Sequence, residues 1–182
     1  MSPDDPAAAF DTLSAVLDPA MVVVTTAEGD ERAGCLVGFH GQCSIDPPRY
    51  DVWLSKANHT YRVALRASHV AVHLLADDDT GRALAERFGT QSGDDVDKFA
   101  GLDHTLGPGG VPLLADCPNR FVVRRAVLVD DGGDHVCLTG SPIAATTTGP
   151  FRPLRLSRVD DLTPGHDAEE RPSPPTERAA DA

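Results

Sequence analysis

The stretch Ala33-Gly34-Cys35-Leu36-Val37-Gly38-Phe39-His40-Gly41-Gln42-Cys43-Ser44-Ile45-Asp46-Pro47-Pro48 decides the reading of this chain. It opens as a strand, with Cys35, Val37 and Phe39 alternating against Leu36, Gly38 and His40. It closes on two prolines, which cannot donate to a sheet ladder and hold the residue before them extended. Ser44 and Asp46 are therefore expected on a stiff, exposed turn. Gly34, Gly38 and Gly41 leave side-chain-free patches where another backbone or a flat ligand can come close.

Working outward, Met21 to Thr26 (MVVVTT) is a β-branched strand, and Ala27-Glu28-Gly29-Asp30 turns it into the Ala33 strand as a hairpin. Ahead of it, residues 1–9 read as a flexible arm. Phe10, Leu13, Val16 and Leu17 lie at helical spacing within Ala7 to Leu17. Beyond the prolines, Tyr50 to Ser55 alternates as a strand, and Lys56-Ala57-Asn58-His59-Thr60 opens a helix through Ala67. His69 to Leu75 is a buried strand, and Gly81 to Gly89 is a helix with Leu84, Ala85 and Phe88 on one face. Val96 to Ala100 is a second helical scrap. The Gly- and Pro-rich run Gly101 to Pro118 reads as a long irregular loop. Phe121 to Val129, Asp134 to Gly140 and Pro153 to Val159 complete the strands. Short strands joined by hairpins, with helices inserted, predict a mainly β fold: an antiparallel split barrel over residues 10–158.

The chain has 182 residues, one domain's worth with room for tails, and its net charge of −12 argues against a nucleic-acid partner. The segment from Asp160 carries seven acidic residues and two arginines among Pro, Ser and Ala, so residues 160–182 are expected to be a disordered tail. No apolar run is long enough to span a membrane, and MSPDDPAAAF lacks the basic start of a signal peptide, so a cytoplasmic setting is expected. Cys35, Cys43, Cys117 and Cys137 form no CxxC pair and are expected as reduced, buried thiols. Rossmann and P-loop glycine motifs are absent.

Lys56, Asn58 and Thr60 supply a cation, an amide and a hydroxyl at a helix start, a set suited to an anion, although an ordinary helix cap uses the same residue types. His135, in Gly133-Asp134-His135, opens a strand and faces either the barrel wall or a cleft.

In this order the motifs resemble the flavin reductase-like family of FMN-binding split barrels. They are Val22 to Thr26, Ser44 to Pro48, Lys56 to Thr60, Val72 to Leu75, Leu84 to Phe88 and Gly133 to His135. The resemblance implies a Greek-key split barrel that works as a homodimer with FMN or FAD in a groove between subunits. It implies NAD(P)H as hydride donor and a flavin-dependent monooxygenase as a partner fed with reduced flavin. It would put Ser44, Lys56, Asn58 and Thr60 near the flavin phosphate and ribityl chain and the Gly34 to Gly41 backbone along the isoalloxazine ring, with Gly38, Phe39, Gln42 and Phe88 also counted as cofactor-binding. His135 would lie on the nicotinamide side. The pattern departs from the family where Leu36, Gly38 and Phe39 replace a hydroxyl-rich run, where Gln42 replaces a Ser, and where His73 replaces an Asn. The lost hydroxyls motivate a second reading, a flavin- or deazaflavin-binding barrel without reductase activity of its own. A third would use His40, His73 or His135 on a heme or metal.

Overall fold

The structure, a computed structural model, describes residues 5–165. Its strands, in chain order, begin with β1 (Val22–Glu28), β2 (Glu31–Val37), β3 (His40–Ser44) and β4 (Arg49–Ser55). There follow β5 (His69–Leu74), β6 (His104–Leu106), β7 (Pro112–Leu114), β8 (Arg120–Val129) and β9 (His135–Thr146). The helices are α1 (Pro6–Ala15), α2 (His59–Ala64) and α3 (Asp79–Thr90).

The single strand expected from Ala33 is two strands. β2 ends at Val37, the chain bends at Gly38 and Phe39, and β3 begins at His40. The reason is topological. Seven strands form one sheet in the order β2-β1-β5-β8-β9-β4-β3, so β2 and β3 are its two opposite edges. Two residues carry the chain from one edge to the other. The Phe39 carbonyl accepts from the Trp53 N–H at 2.9 Å and ties the crossing to β4. Every neighbouring pair is antiparallel, and the sheet curls into the expected split barrel.

The run MVVVTT is continuous rather than alternating because β1 is buried on both faces. Val22 and Val24 point into the barrel with Cys35, Val52, Leu54, Val72 and Leu138. Val23 points the other way, into a second core with Leu84, Ala85 and Phe88 of α3 and Phe99. α3 is capped by Asp78, whose side chain accepts from the Gly81 N–H at 2.8 Å. A Cβ at Gly81 would lie 2.0 Å from the Ala76 carbonyl oxygen, so that first turn admits only glycine.

Other expectations shift. Residues 101–118 are ordered by a small hairpin of β6 and β7, joined by the short 3-10 turn Pro108–Gly110. Thr25 Oγ1 donates to the Pro112 carbonyl at 2.6 Å and fastens this hairpin to β1. Val96 to Ala100 forms turns, with Asp97 Oδ1 accepting from the Phe99 N–H in place of a helical bond. Pro153 to Val159 is no strand; it makes only the isolated bridges Ala76–Pro153 and Ala20–Arg155 before the 3-10 turn Leu156–Arg158. Residues 160–165, assigned to the tail, lie against α3: Arg82 holds both oxygens of Asp161, and the Gly165 N–H reaches the Gly89 carbonyl. Residues 166–182 and 1–4 lie outside the described residues, and Pro6 to Ala9 of the expected arm are already helical. α1 buries none of its residues; Phe10 and Leu13, with Val16 and Leu17 just after it, are at least two-thirds exposed. All four cysteines are free; Cys35 and Cys117 are buried as expected, Cys137 is half-buried and Cys43 is exposed on β3. No helix among the described residues is long and apolar enough to cross a membrane.

Candidate functional site

The crossing at Gly38 and Phe39 forms one wall of a cavity of about 390 Å³. Leu36, Val37 and Met21 continue that wall, Phe88 and Gly89 of α3 form the next, and Leu156, Val159 and Leu162 of the C-terminal segment close it. Its mouth is aromatic. The Phe39 and His135 rings meet edge to face at 5.3 Å and 72°, and Trp53 stands beside them. Phe39 is 62% exposed and Trp53 36%, so one side of this mouth is open in the single chain. His135 Nδ1 lies 3.0 Å from Asp134 Oδ1, which fixes the ring.

Phe88 is held from beneath by a missing side chain. A Cβ at Gly34 would stand 2.7 Å from Phe88 Cε1, so glycine on β2 is what lets the ring lie flat against the strand. Phe99 packs edge to face on its other side at 5.5 Å.

The sequence-derived residues divide. Gly38, Phe39, Asn58, Phe88 and His135 come together on the cavity wall. Lys56, Thr60, Gln42 and Ser44 do not line it. Lys56 Nζ is 2.6 Å from Asp130 Oδ1, which also accepts from the Gly132 N–H; Lys56 holds that carboxyl below the usual carboxylate range. Thr60 is buried, and its Oγ1 sits beside the Cys35 thiol without a hydrogen bond of normal geometry. Burial pushes that thiol's pKa up. Gln42 and Ser44 lie on β3 at the sheet edge, where Gln42 Nε2 donates to the Ser44 carbonyl. Asn58 is the N-cap of α2 but makes no side-chain cap bond, which leaves its amide available to the cavity.

One wall residue was missed. Lys98 is buried and sends Nζ to the Gly34 carbonyl at 3.2 Å and the Phe88 carbonyl at 3.1 Å. It follows the acidic run before Phe99 and reads in sequence as a solvated lysine; its only signal is the apolar pair Val96 and Phe99 flanking it. A second cavity of about 510 Å³, with Glu31, His59, Asp94 and Asp97 in its wall, lies on the other side of Lys98.

His40 and His73 are committed elsewhere. His40 contacts the Tyr50 hydroxyl at 2.6 Å and the Ala20 carbonyl at 2.8 Å. His73 Nδ1 faces the Val23 carbonyl, and its Nε2 accepts from the Leu114 N–H, both at 3.1 Å. With both ring nitrogens occupied, neither is free for a heme or a metal.

The fold and cavity define an antiparallel split barrel with an aromatic-mouthed pocket at the crossing between its sheet edges. The chain belongs to the flavin reductase like domain family, whose model matches residues 16–156. It is 32% identical to an FMN reductase (NADH) of Agrobacterium fabrum, over 69% of this chain and 67% of that protein. It is 29% identical to a high molecular weight rubredoxin of Moorella thermoacetica over 66% of this chain, and it spans only about half, 52%, of that relative's length. Among solved structures, an NADH:FAD oxidoreductase of Streptomyces globisporus C-1027 superposes with a TM-score of 0.70 at 25% identity, covering 82% of this chain and 88% of that one.

Proposed function

We propose that this chain is an NAD(P)H:flavin oxidoreductase that binds FMN or FAD in the cavity at Gly38 and Phe39 and feeds reduced flavin to a partner monooxygenase. The observation that carries the reading is the make-up of that cavity: apolar and aromatic walls, one buried ammonium and, among the described residues, no carboxylate. At about 390 Å³ it lies in the range of small-molecule sites. Such a wall suits a flat ring with a polar, electron-rich edge, which is what an isoalloxazine offers. The two relatives named as NADH-dependent flavin enzymes support the same assignment.

When bound, the flavin supplies the hydride-accepting chemistry. The protein's part is placement. Leu36, Val37 and Phe88 exclude water from the cavity floor, and the Gly38 backbone, without a side chain, admits a ring edge. Phe39 and His135 offer an aromatic platform at the mouth, where a nicotinamide could be stacked within attack distance. Asn58 offers its free amide, and Lys56 lies two residues away toward solvent for a phosphate.

We also propose a homodimer. Two groups of exposed apolar side chains support it, Phe39 with Trp53 at the cavity mouth and Phe10 with Leu13 on α1; a second copy would cover surfaces a single chain leaves wet. Four free thiols fit a reducing cytoplasm.

The test is NADH and NADPH oxidation followed with FMN, FAD and riboflavin, alongside flavin titrations of wild type and Lys56→Ala. Flavin-dependent oxidation is expected. Lys56→Ala should weaken FMN by about 1.5–3 kcal/mol, the worth of a hydrogen bond to a charged group, and leave riboflavin almost untouched. Flavin binding without nicotinamide oxidation would favour the binding-protein reading, which the loss of hydroxyls at Leu36, Gly38 and Phe39 motivates. No flavin binding at all would overturn both.

A further inference from the structure

We infer that Lys98 is the flavin-tuning residue of this site, the cation that takes up the negative charge a bound flavin ring acquires on two-electron reduction. The inference rests on the flavin reading above. Hydride transfer moves one hydrogen and two electrons from the nicotinamide to the neutral oxidised ring; the nicotinamide leaves as a cation and the ring is left with one negative charge. A site that accepts hydride readily places a fixed positive charge where that negative charge develops.

Lys98 is built for this. It is 4% exposed, yet it lines the cavity, and among the described residues it is the only Lys or Arg on a wall that carries no Asp or Glu. No carboxylate among the described residues lies within ion-pair distance of it. A buried ammonium without a counterion is costly, and its site gains when an anion arrives. Two of its three N–H groups are spent on the Gly34 and Phe88 carbonyls, which fix the head group and favour its charged form. The third has no acceptor among the described residues within bonding distance. Burial lowers the lysine's pKa, opposed by the Cys35 thiol and the more distant Asp94. The other titratable groups on the wall are Cys35 and His135, and on its far side Lys98 borders the second cavity with Asp30, Glu31, His59, Asp94, Asp95 and Asp97.

A tie of α3 to β2 through the same two carbonyls would be a purely structural role, and the experiment separates the two. Dissociation constants of oxidised and reduced FMN are measured for wild type, Lys98→Gln, Lys98→Met and Lys98→Arg, together with the midpoint potential of the bound flavin. Lys98→Gln keeps two N–H donors, on a side chain one bond shorter, and removes the charge. The inference expects reduced FMN to lose at least tenfold more affinity than oxidised FMN in Lys98→Gln and Lys98→Met, which for a two-electron couple is a fall of about 30 mV. Lys98→Arg should restore the ratio. Equal losses for the two oxidation states, or an unchanged potential, would overturn it and leave the flavin reading standing. If neither uncharged variant folds, wild type decides: bound reduced FMN should keep its anionic spectrum to lower pH than free reduced FMN, and protonation at the same pH would overturn the inference. Failure of wild type to bind either flavin in either state would instead remove the reading beneath it.

Discussion

Replacing His73 with Asn should flatten the acid side of this protein's stability curve. His73 is completely buried on β5, and burial lowers its pKa to about 4, against the partial support of the Val23 carbonyl. In the unfolded chain the same imidazole titrates near 6.5. Between these values the unfolded state binds a proton that the native state refuses, so stability is fully present above about pH 6.5 and is lost as pH falls toward 4. Worked through the two pKa values, His73 alone removes about 2 kcal/mol between pH 7 and pH 4.5. The carboxylates with lowered pKa, such as Asp94 and Asp97, act with the same sign but at lower pH, below the usual carboxylate range. His40, also lowered by burial, shares the window and is left in place by the substitution. Asn can still donate to the Val23 carbonyl but is too short to accept from the Leu114 N–H. That orphaned donor costs about 1–3 kcal/mol at every pH. Urea unfolding of both proteins at several pH values from 7 to 4.5 gives the comparison. The variant should be less stable at pH 7, and the gap should close by about 2 kcal/mol at pH 4.5. Parallel curves would mean that His73 does not titrate in this window and would refute the argument.

Phe88→Ala should cost about 3–5 kcal/mol by urea unfolding, because it empties a fully buried ring site between α3 and β2. Gly34→Ala, which drives a Cβ into that ring, should cost about 1–3 kcal/mol and weaken flavin binding as Phe88 is pushed into the cavity; no loss of either would count against the contact. Truncation after Gly165 should leave the melting temperature unchanged, since the acidic, Pro-rich remainder has little apolar area to bury. Truncation after Arg158 should cost about 1.5–3 kcal/mol through the buried Val159 alone, and equal melting temperatures for the two truncations would show that residues 159–165 do not dock. Sedimentation at micromolar concentration should give a dimer, and a monomer that still binds flavin tightly would sink that proposal.

What could be read from sequence depended on how local its cause was. β1 was legible because a run of three valines and two threonines has no other stable use, and α3 because Leu84, Ala85 and Phe88 repeat at helical spacing. The break at Gly38 and Phe39 was not, because the alternation of Cys35, Val37 and Phe39 continues through it. Only the pairing of β2 with β1 and of β3 with β4, at opposite sheet edges, forces the bend. The β6–β7 hairpin hid in a Gly- and Pro-rich run, since three residues per strand are too few to show a period. Asn58 and His135 were legible as members of motifs, whereas Thr60, in the same motif as Asn58, turned inward to Cys35. Helical geometry points neighbouring side chains in different directions, and nothing in the motif says which one faces a ligand.

The two lysines near the site carry their charge differently, and on the proposed flavin reading they act on different parts of the ligand. A chain of net charge −12 repels anionic flavin phosphates and nicotinamide nucleotides at a distance, so attraction must be local. Lys56 is half spent: Asp130 at 2.6 Å neutralises it, and a phosphate must compete with that carboxylate. Lys98 donates to two neutral carbonyls and has no ion-pair partner among the described residues, although the acidic wall of the second cavity lies behind it. On the flavin reading proposed above, Lys98 acts on the ring, and Lys56 acts on the phosphate once it is drawn from Asp130. Such a site would, on the same reading, tell reduced from oxidised flavin through Lys98 and FMN from riboflavin through Lys56. The preference for the reduced ring would then favour hydride transfer and oppose release of the reduced flavin to a partner.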